Sequence, residues 1–333
     1  MKKTHWLTAL IGIMAMLFLV AGCGSGSKSS AGTGGSGKVT LGFSQLGAES
    51  QWRTANTKSV QSAAKKNKKI NLKFSDAQQK QENQISAIRN FIQQGVDVIA
   101  VAPVVETGWE TVLKEAKDAD IPVILVDRMI KGKNVDDLYS AWIGSDFTKE
   151  GRKAGDWLAT YMKKQNKASE KLNIAYLQGT TGASAQVGRT KGFGEVAKEH
   201  SNWDIIEKQS GNFTREEGKE VMEAFMKSSG DKINVLVSEN DDMTMGAIQA
   251  IEEAGKKPGK DITIISFDST NDGLQAILDG KINADIECNP MSGEDVMKTA
   301  IALKDGKKVQ KKVYVHESLF DIDNAKKNMP RPY

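Results

Sequence analysis

Polar side chains follow several runs of branched apolar residues, and the clearest case is Asp127-Arg128. The apolar run Ile121–Val126 is typical of a strand covered on both faces of a parallel sheet, and it stops at this carboxylate and guanidinium. Ligands of open parallel sheets bind beyond the carboxyl ends of the strands. A carboxylate and a guanidinium at such a place accept and donate hydrogen bonds, as a ligand made of hydroxyl groups requires. A salt bridge that merely ends a strand is the alternative.

Other predicted strands end on side chains of the same kinds, contributed by both halves of the chain. These side chains are Glu49, Trp52, Arg53, Asp76, Gln178, Arg189, Asn240, Asp241 and Asp268. Some have a structural alternative, because Asp76, Asp241 and above all Asp242 can cap a following helix, and Trp52 can be a core residue. Taken together, carboxylate, amide and guanidinium groups beside an aromatic ring favour recognition of a polyol, whose hydroxyls both donate and accept hydrogen bonds and whose C–H face packs on the ring.

Two series of alternating strands and helices position these residues. In the first, we predict strands at Val39–Ser44, Ile70–Ser75, Val96–Ala102 and Ile121–Val126, with helices at Thr54–Lys68, Gln78–Gln94 and Thr107–Asp118. In the second, which we start at Ala141–Gly144, we predict strands at Leu172–Leu177, Asp204–Lys208, Ile233–Val237 and Ile262–Phe267. Alternation of this kind produces a doubly wound parallel sheet. We therefore expect an α/β protein with two Rossmann-like lobes.

Length, composition and charge restrict the class of protein. A chain of 333 residues is long enough for two domains, and 39% hydrophobic with 26% charged residues is typical of a soluble globular protein. The net charge of +4 is small and its charges are interspersed, so nothing indicates nucleic acid as a partner. The three histidines have no ligand-like spacing, and no oxygen-rich calcium loop is visible, so we predict neither a metal nor a cofactor.

The first residues have the organisation of an export signal. A basic start is followed by the apolar run Trp6–Val20 and by Val20-Ala-Gly-Cys23, which resembles the lipobox of bacterial lipoproteins. An ordinary signal peptide or a short membrane helix is the alternative, although the run is short for a membrane span. We predict a signal peptide at 1–22, lipidation at Cys23 and a Gly/Ser-rich tether at 23–37. The protein is then extracytoplasmic and anchored by lipid to the cell membrane.

Several motifs together resemble one family, the type I periplasmic binding proteins that serve bacterial importers of pentoses and hexoses. They are VDR, TTGASAQVGR, SENDDM and ISFD, and within the family SQLGAESQWR, DAQQKQENQ, APVVETGWE and SGNFTREEGKEVMEAF are most similar to galactofuranose binders. The resemblance implies ligand contacts by Asp127, Arg128, Arg189, Asn240 and Asp268, and stacking of Trp52 on the sugar. It extends to Glu49 and Arg53, in a loop that is longer here than in ribose-binding relatives. Glu287-Cys288-Asn289 replaces the glutamine of those relatives, which makes ribose a doubtful ligand.

The resemblance also implies a domain arrangement and a mechanism. The N-terminal lobe comprises 38–141 plus 290–311 and the C-terminal lobe 142–289 plus 312–333, with three crossings near Tyr139–Trp142, Glu287–Pro290 and Lys312–Val315. Closure of this three-segment hinge on a monosaccharide, a galactofuranose- or galactose-like hexose or a related sugar, would present both lobes to the permease of an ABC importer. The expected protein is a monomer and not an enzyme.

Three other functions fit parts of the sequence. A sugar sensor would present the same closed lobes to a membrane receptor or kinase. A glycoside hydrolase would use paired carboxylates such as Asp127 and Asp268, but we expect neither pKa to be raised, since Arg128 favours the ionised forms. A sugar-responsive repressor shares the fold, but the export leader and the lack of a helix-turn-helix before Lys38 disfavour it.

Overall fold

A computed structural model describes residues 37–333 of the chain. The predicted signal peptide, the lipidation site Cys23 and nearly all of the tether lie outside the described residues. Within 37–333, no helix combines the length and apolar character needed to cross a membrane.

The first lobe is built on a six-stranded sheet in the order β11-β5-β4-β3-β1-β2, with all neighbouring strands parallel. Its strands are β1 (Val39–Gln45), β2 (Ile70–Asp76), β3 (Val98–Val101), β4 (Val123–Val126), β5 (Ala141–Gly144) and β11 (Lys312–Tyr314). Its helices are α1 (Gln51–Lys66), α2 (Gln81–Gln93), α3 (Glu110–Asp118) and α9 (Gly293–Lys304). A 3-10 helix covers Val135–Leu138. The central strands β3 and β4 are buried at every residue, as expected for strands covered on both faces.

The second lobe repeats this plan around a sheet in the order β12-β10-β9-β8-β6-β7, in which only β12 is antiparallel. Its strands are β6 (Leu172–Gln178), β7 (Trp203–Ser210), β8 (Val235–Ser238), β9 (Thr263–Asp268), β10 (Ala284–Glu287) and β12 (Leu319–Asp321). Its helices are α4 (Phe147–Lys164), α5 (Ser184–Ala197), α6 (Arg215–Ser229), α7 (Asp241–Glu253) and α8 (Asn271–Leu278), with a 3-10 helix at Ala325–Asn328. The expected α/β architecture with two doubly wound parallel-sheet lobes is confirmed.

Two expected lobe boundaries differ from the strand pairing by a few residues. Ala141–Gly144 pairs with β4, so this strand belongs to the first sheet and does not begin the second series. Lys312–Tyr314 pairs with β5 in the same sheet, although we had assigned residues from 312 onward to the C-terminal lobe. Short strands of alternating character carry no sign of which sheet they join, because that choice is made by backbone pairing with a distant partner.

Helices α4 and α5 approach each other closely because both carry glycines where they meet. A Cβ atom at Gly151 would lie 2.2 Å from the carbonyl oxygen of Arg189, and a Cβ atom at Gly192 would lie 2.0 Å from that of Thr148. No larger residue fits either position without moving a backbone. The close contact fixes the position of Arg189, whose backbone carbonyl faces Gly151 and which precedes Gly192 by one turn on α5.

Candidate functional site

One pocket lies between the lobes at the carboxyl ends of both sheets. It is lined by Glu49, Ser50, Trp52, Arg53, Asp127, Arg128, Phe147, Ala185, Arg189, Phe213, Asn240, Asp268 and Cys288. All eight side chains expected to contact a ligand are among them. The cavity that they line has a volume of about 20 Å³, which is room for a single water molecule. A larger ligand therefore enters only if the lobes or the side chains move.

The N-terminal lobe contributes a buried network of opposite charges. Helix α1 begins after Ser50, whose hydroxyl accepts a hydrogen bond from the backbone N–H of Arg53 at 3.1 Å. The guanidinium of Arg53 donates from Nη2 to Asp127 Oδ2 at 2.6 Å and from Nε to Glu49 Oε1 at 3.2 Å. Because two carboxylates hold this group, its plane has a fixed orientation toward the cavity.

Arg128 completes the positive side of the pocket. It donates from Nη1 to the carbonyl oxygen of Val104 at 2.7 Å, and its Nη2 lies 3.7 Å from Glu49 Oε1. Burial, together with the nearby charge of Arg53, lowers the pKa of Arg128 to about 10. The group is therefore still a cation at neutral pH, and its guanidinium lies over the ring of Phe213, with 5.3 Å between the guanidinium carbon and the ring centroid.

Three buried polar atoms of this network have no hydrogen-bond partner within residues 37–333. Two are donors, Arg53 Nη1 and Arg128 Nε, and one is an acceptor, Glu49 Oε2. A buried polar atom without a partner costs about 1–3 kcal/mol. All three residues line the same cavity, so a ligand that both accepts and donates hydrogen bonds would satisfy them there.

The C-terminal lobe contributes Arg189, which α5 carries into the pocket. Its Nε donates to Glu150 Oε2 at 2.7 Å, its Nη1 donates to the carbonyl oxygen of Glu239, and its Nη2 lies 3.5 Å from Asp268 Oδ1. The guanidinium carbon is 4.9 Å from the ring centroid of Phe267. Charged partners and an aromatic face thus fix Arg189 on several sides.

Both pocket aspartates at strand ends have unusual backbones. The φ angle is 62° at Asp127 and 110° at Asp268, in the region that L-residues other than glycine seldom adopt. Such conformations cost roughly 1–3 kcal/mol and are held in place by surrounding structure. Here they turn each carboxylate out of the sheet and into the cavity. Burial, partly offset by Arg189, also raises the pKa of Asp268 well above its ordinary value, so our expectation of an unraised pKa at this residue is wrong.

Asn240 caps the N-terminus of α7, a role that we had expected of Asp242. Its side-chain oxygen accepts a hydrogen bond from the backbone N–H of Met243 at 3.0 Å, while its amide donates to the carbonyl oxygen of Phe213 at 3.1 Å. Asp242, which we expected to cap this helix, instead accepts a hydrogen bond from the backbone N–H of Gln51 in the other lobe at 2.8 Å. This hydrogen bond therefore joins the two lobes.

Trp52 also crosses between the lobes. It stands on α1 of the first lobe, but its side chain is part of the apolar cluster of the second lobe and is only 5% exposed. Its indole N–H donates to the carbonyl oxygen of Cys288 at 2.5 Å. The ring therefore lines the pocket and takes part in a core at the same time, so the two interpretations offered by the sequence are compatible.

Five residues of the pocket wall were not predicted from the sequence. Phe147 and Phe213 supply apolar rings from the second lobe, and Ser50, Ala185 and Cys288 complete the wall. Phe213 follows β7 in a Gly-Asn-Phe segment with a φ angle of 64°, and such a turn directly after a strand was the available signal. We had expected no metal, and within residues 37–333 one group, Glu150, Cys288 and Glu317, has the donor types of a metal site.

Comparison with known proteins gives the family and the kind of function. Residues 41–308 match the model of the periplasmic binding protein domain. The chain is 48% identical over 296 residues to the galactofuranose-binding protein YtfQ of Escherichia coli (strain K12), covering 88% of this chain and 91% of that protein. It is 34% identical to the fructose import binding protein FruE of Bifidobacterium longum (strain NCC 2705), covering 98% and 97%.

A solved structure supports the same assignment. A crystal structure from Mycobacterium smegmatis in complex with β-D-fucofuranose superposes with a TM-score of 0.84 at 50% identity, covering 88% of this chain and 94% of that one. These relatives are sugar-binding proteins of transport systems and not enzymes. The match over most of the chain and the two-lobed fold with its interlobe pocket agree: this chain is a member of the periplasmic binding protein family.

Proposed function

We propose that the chain binds a monosaccharide in its interlobe pocket, in the manner of galactofuranose- and related sugar-binding proteins, and delivers it to an ABC importer. The observation that carries this proposal is the set of buried atoms that have no hydrogen-bond partner in the described part of the chain, 37–333: Arg53 Nη1, Arg128 Nε and Glu49 Oε2. Sugar hydroxyls accept from the two donors and donate to the carboxylate oxygen, so one ring satisfies all three. A sugar that lacks one of these hydroxyls would leave a buried partner unsatisfied, at about 1–3 kcal/mol.

The proposed ligand is the furanose form of a hexose or pentose. Two relatives support this choice: the one at 48% identity is named for galactofuranose, and the structure at 50% identity was solved with β-D-fucofuranose. In this proposal, Asp127, Arg128, Arg189, Asn240 and Asp268 hydrogen-bond to the ring hydroxyls. Glu49 and Arg53 complete those contacts from α1, and Trp52 packs on the apolar face of the ring.

Binding is proposed to proceed by closure of the lobes. Backbone N–H groups of the first lobe donate to the second at two places away from Asp242: Glu106 to the carbonyl oxygen of Gly182, and Met129 to Ser184 Oγ, each at 2.9 Å. These bonds require the lobes to be close together. Because the cavity has a volume of only about 20 Å³, a sugar enters an open form and is then surrounded as the lobes close.

The cellular setting is proposed from the sequence. Members of this family act outside the cytoplasm, and the Val-Ala-Gly-Cys23 segment supports attachment of the mature chain to the membrane through lipid on Cys23. The proposed lobe segments are 38–144 plus 290–314 and 145–289 plus 315–333, which follow the strand pairing. A monomer remains the expected state.

A thermal-shift panel tests the proposal. The purified protein is heated with a series of pentoses and hexoses that includes galactose in both ring forms, with maltose as a control too large for the pocket. A furanose-forming sugar at a hundred times its Kd should stabilise the protein by about 2.7 kcal/mol. If no monosaccharide raises the melting temperature, the ligand class is wrong. Mass spectrometry of the membrane-extracted protein tests the lipid on Cys23.

A further inference from the structure

Behind the pocket, Glu317 lies close to a second glutamate, which forms an ion pair with Arg189. Glu317 belongs to the third segment of chain that crosses between the lobes. The second glutamate is Glu150, which accepts from Arg189 Nε through its Oε2 atom. Its other oxygen, Oε1, is buried and has no hydrogen-bond partner within residues 37–333. A buried carboxylate oxygen that accepts no hydrogen bond is costly, so this atom requires a donor.

Glu317 lies where it can supply that donor. One carboxylate oxygen of Glu150, one of Glu317 and the Sγ atom of Cys288 all lie within 4.8 Å of one another. Oε1 of Glu317 accepts from Ser145 Oγ and, at 3.4 Å, from the backbone N–H of Asn289. Ser145 follows β5, Asn289 follows β10 and Glu317 follows β11, so this carboxyl group joins the three crossings.

The charges around Glu150, Glu317 and Cys288 indicate which kind of donor satisfies Glu150 Oε1. The carboxylates of Glu150 and Glu317 share one guanidinium, that of Arg189, which also lies 3.5 Å from Asp268 Oδ1. The Nζ atom of Lys153 donates to the backbone carbonyl of Glu317 at 3.1 Å and not to its carboxylate. With both glutamates ionised, the site would hold an excess negative charge in a buried place. A divalent cation would balance the excess negative charge only by lying beside the Arg189 guanidinium, which would repel it. A single proton neutralises the excess and supplies the missing donor.

We propose that Glu317 is a protonated positioning residue, which donates its carboxyl hydrogen to Glu150 and through it holds Arg189 in the sugar pocket. The inference rests on the proposed function, since it assigns Arg189 to ligand binding. It also makes the hinge and the pocket one hydrogen-bonded unit, from Ser145 and Asn289 through Glu317 and Glu150 to Arg189.

The titration behaviour of Glu317 agrees with this arrangement. Burial and the charge of Glu150 raise the pKa of Glu317 to about 9, from an ordinary value of 4.5. Between these two values, the folded protein holds a proton that the unfolded chain has released. The stabilisation is fully present below pH 4.5 and is lost as the pH rises through 9.

The test compares Glu317→Gln with the unaltered protein. Glutamine keeps the shape and a hydrogen-bond donor but cannot ionise, so the variant should bind the sugar with a Kd within twofold at pH 7. Between pH 6 and 8, the unfolding equilibrium constant of the unaltered protein should rise about tenfold per pH unit relative to that of Glu317→Gln. Glu170→Gln, which changes an exposed glutamate of the same lobe, should leave the pH dependence of stability unchanged.

A second variant separates positioning from general damage. Glu317→Leu removes the donor, so Kd should rise at least tenfold at pH 7 while Glu317→Gln rescues binding. Parallel pH profiles for the unaltered protein and Glu317→Gln would overturn the proposal. Stabilisation by added Zn²⁺ that only the unaltered protein shows would overturn it in favour of a metal. The pH profile needs no sugar, so failure of the proposed function, seen as no binding by the unaltered protein, is distinguishable from failure of this inference.

Discussion

Substituting lysine for Arg53 tests the central geometric argument. Arg53 uses Nη2 for Asp127 and Nε for Glu49, which leaves Nη1 without a partner within residues 37–333. Lysine keeps the positive charge beside both carboxylates but cannot direct a third donor into the cavity. Loss of one charge-assisted hydrogen bond to the sugar costs about 2 kcal/mol, which corresponds to roughly a 30-fold increase in Kd.

Isothermal titration with the sugar selected by the thermal-shift panel measures this change. Arg89→Lys is the matched control, because Arg89 makes a two-pronged ion pair with Glu115 on the surface of the same lobe, at 2.8 and 2.9 Å, and neither residue lines the pocket. The control should bind as the unaltered protein does. A folded Arg53→Lys variant whose Kd lies within threefold of the original would refute the assignment of Nη1 to the ligand.

Two further substitutions test the helix contact and the contact between the lobes. Gly192→Ala places a methyl group 2.0 Å from the carbonyl oxygen of Thr148 and should lower the free energy of unfolding, measured in urea, by about 1–3 kcal/mol. The control Gly194→Ala has nothing within 4 Å of its new Cβ and should be neutral or slightly stabilising. Equal effects of the two substitutions would contradict the close packing of α4 and α5. Asp242→Ala removes the acceptor of the Gln51 N–H, so the closed form loses an interlobe hydrogen bond. The Kd for the sugar, measured by isothermal titration, should therefore rise about tenfold. An unchanged Kd would show that this bond does not support closure.

The parts of the site that were predictable lie at strand ends. Asp127, Arg128, Asn240 and Asp268 could be found because buried strands are easy to recognise and parallel strands carry their carboxyl ends to one edge. Arg189 and Trp52 stand on helices that follow strand ends, so the strand ends placed them near the site and the family resemblance supplied their roles in ligand contact. The lobed architecture followed from the same alternation of strands and helices.

Other features depend on partners distant in the chain. Asp242 could be recognised as a cap by local pattern, but its acceptor role depends on a backbone N–H 191 residues away. The pairing of β5 with β11 similarly joins residues about 170 positions apart, and no local signal specifies it. Glu150 lies within α4 and Glu317 in the segment between β11 and β12, so neither residue follows one of the strands predicted from the sequence.

The position of Trp52 has a spectroscopic consequence. When the lobes separate, its ring leaves the apolar cluster of the second lobe and its N–H exchanges the Cys288 carbonyl for water. Indole fluorescence shifts to longer wavelength in water, so the difference between the emission spectra of the unaltered protein and a Trp52→Phe variant would follow the opening of the cleft. The fraction of molecules open at any moment could then be read without attaching a dye.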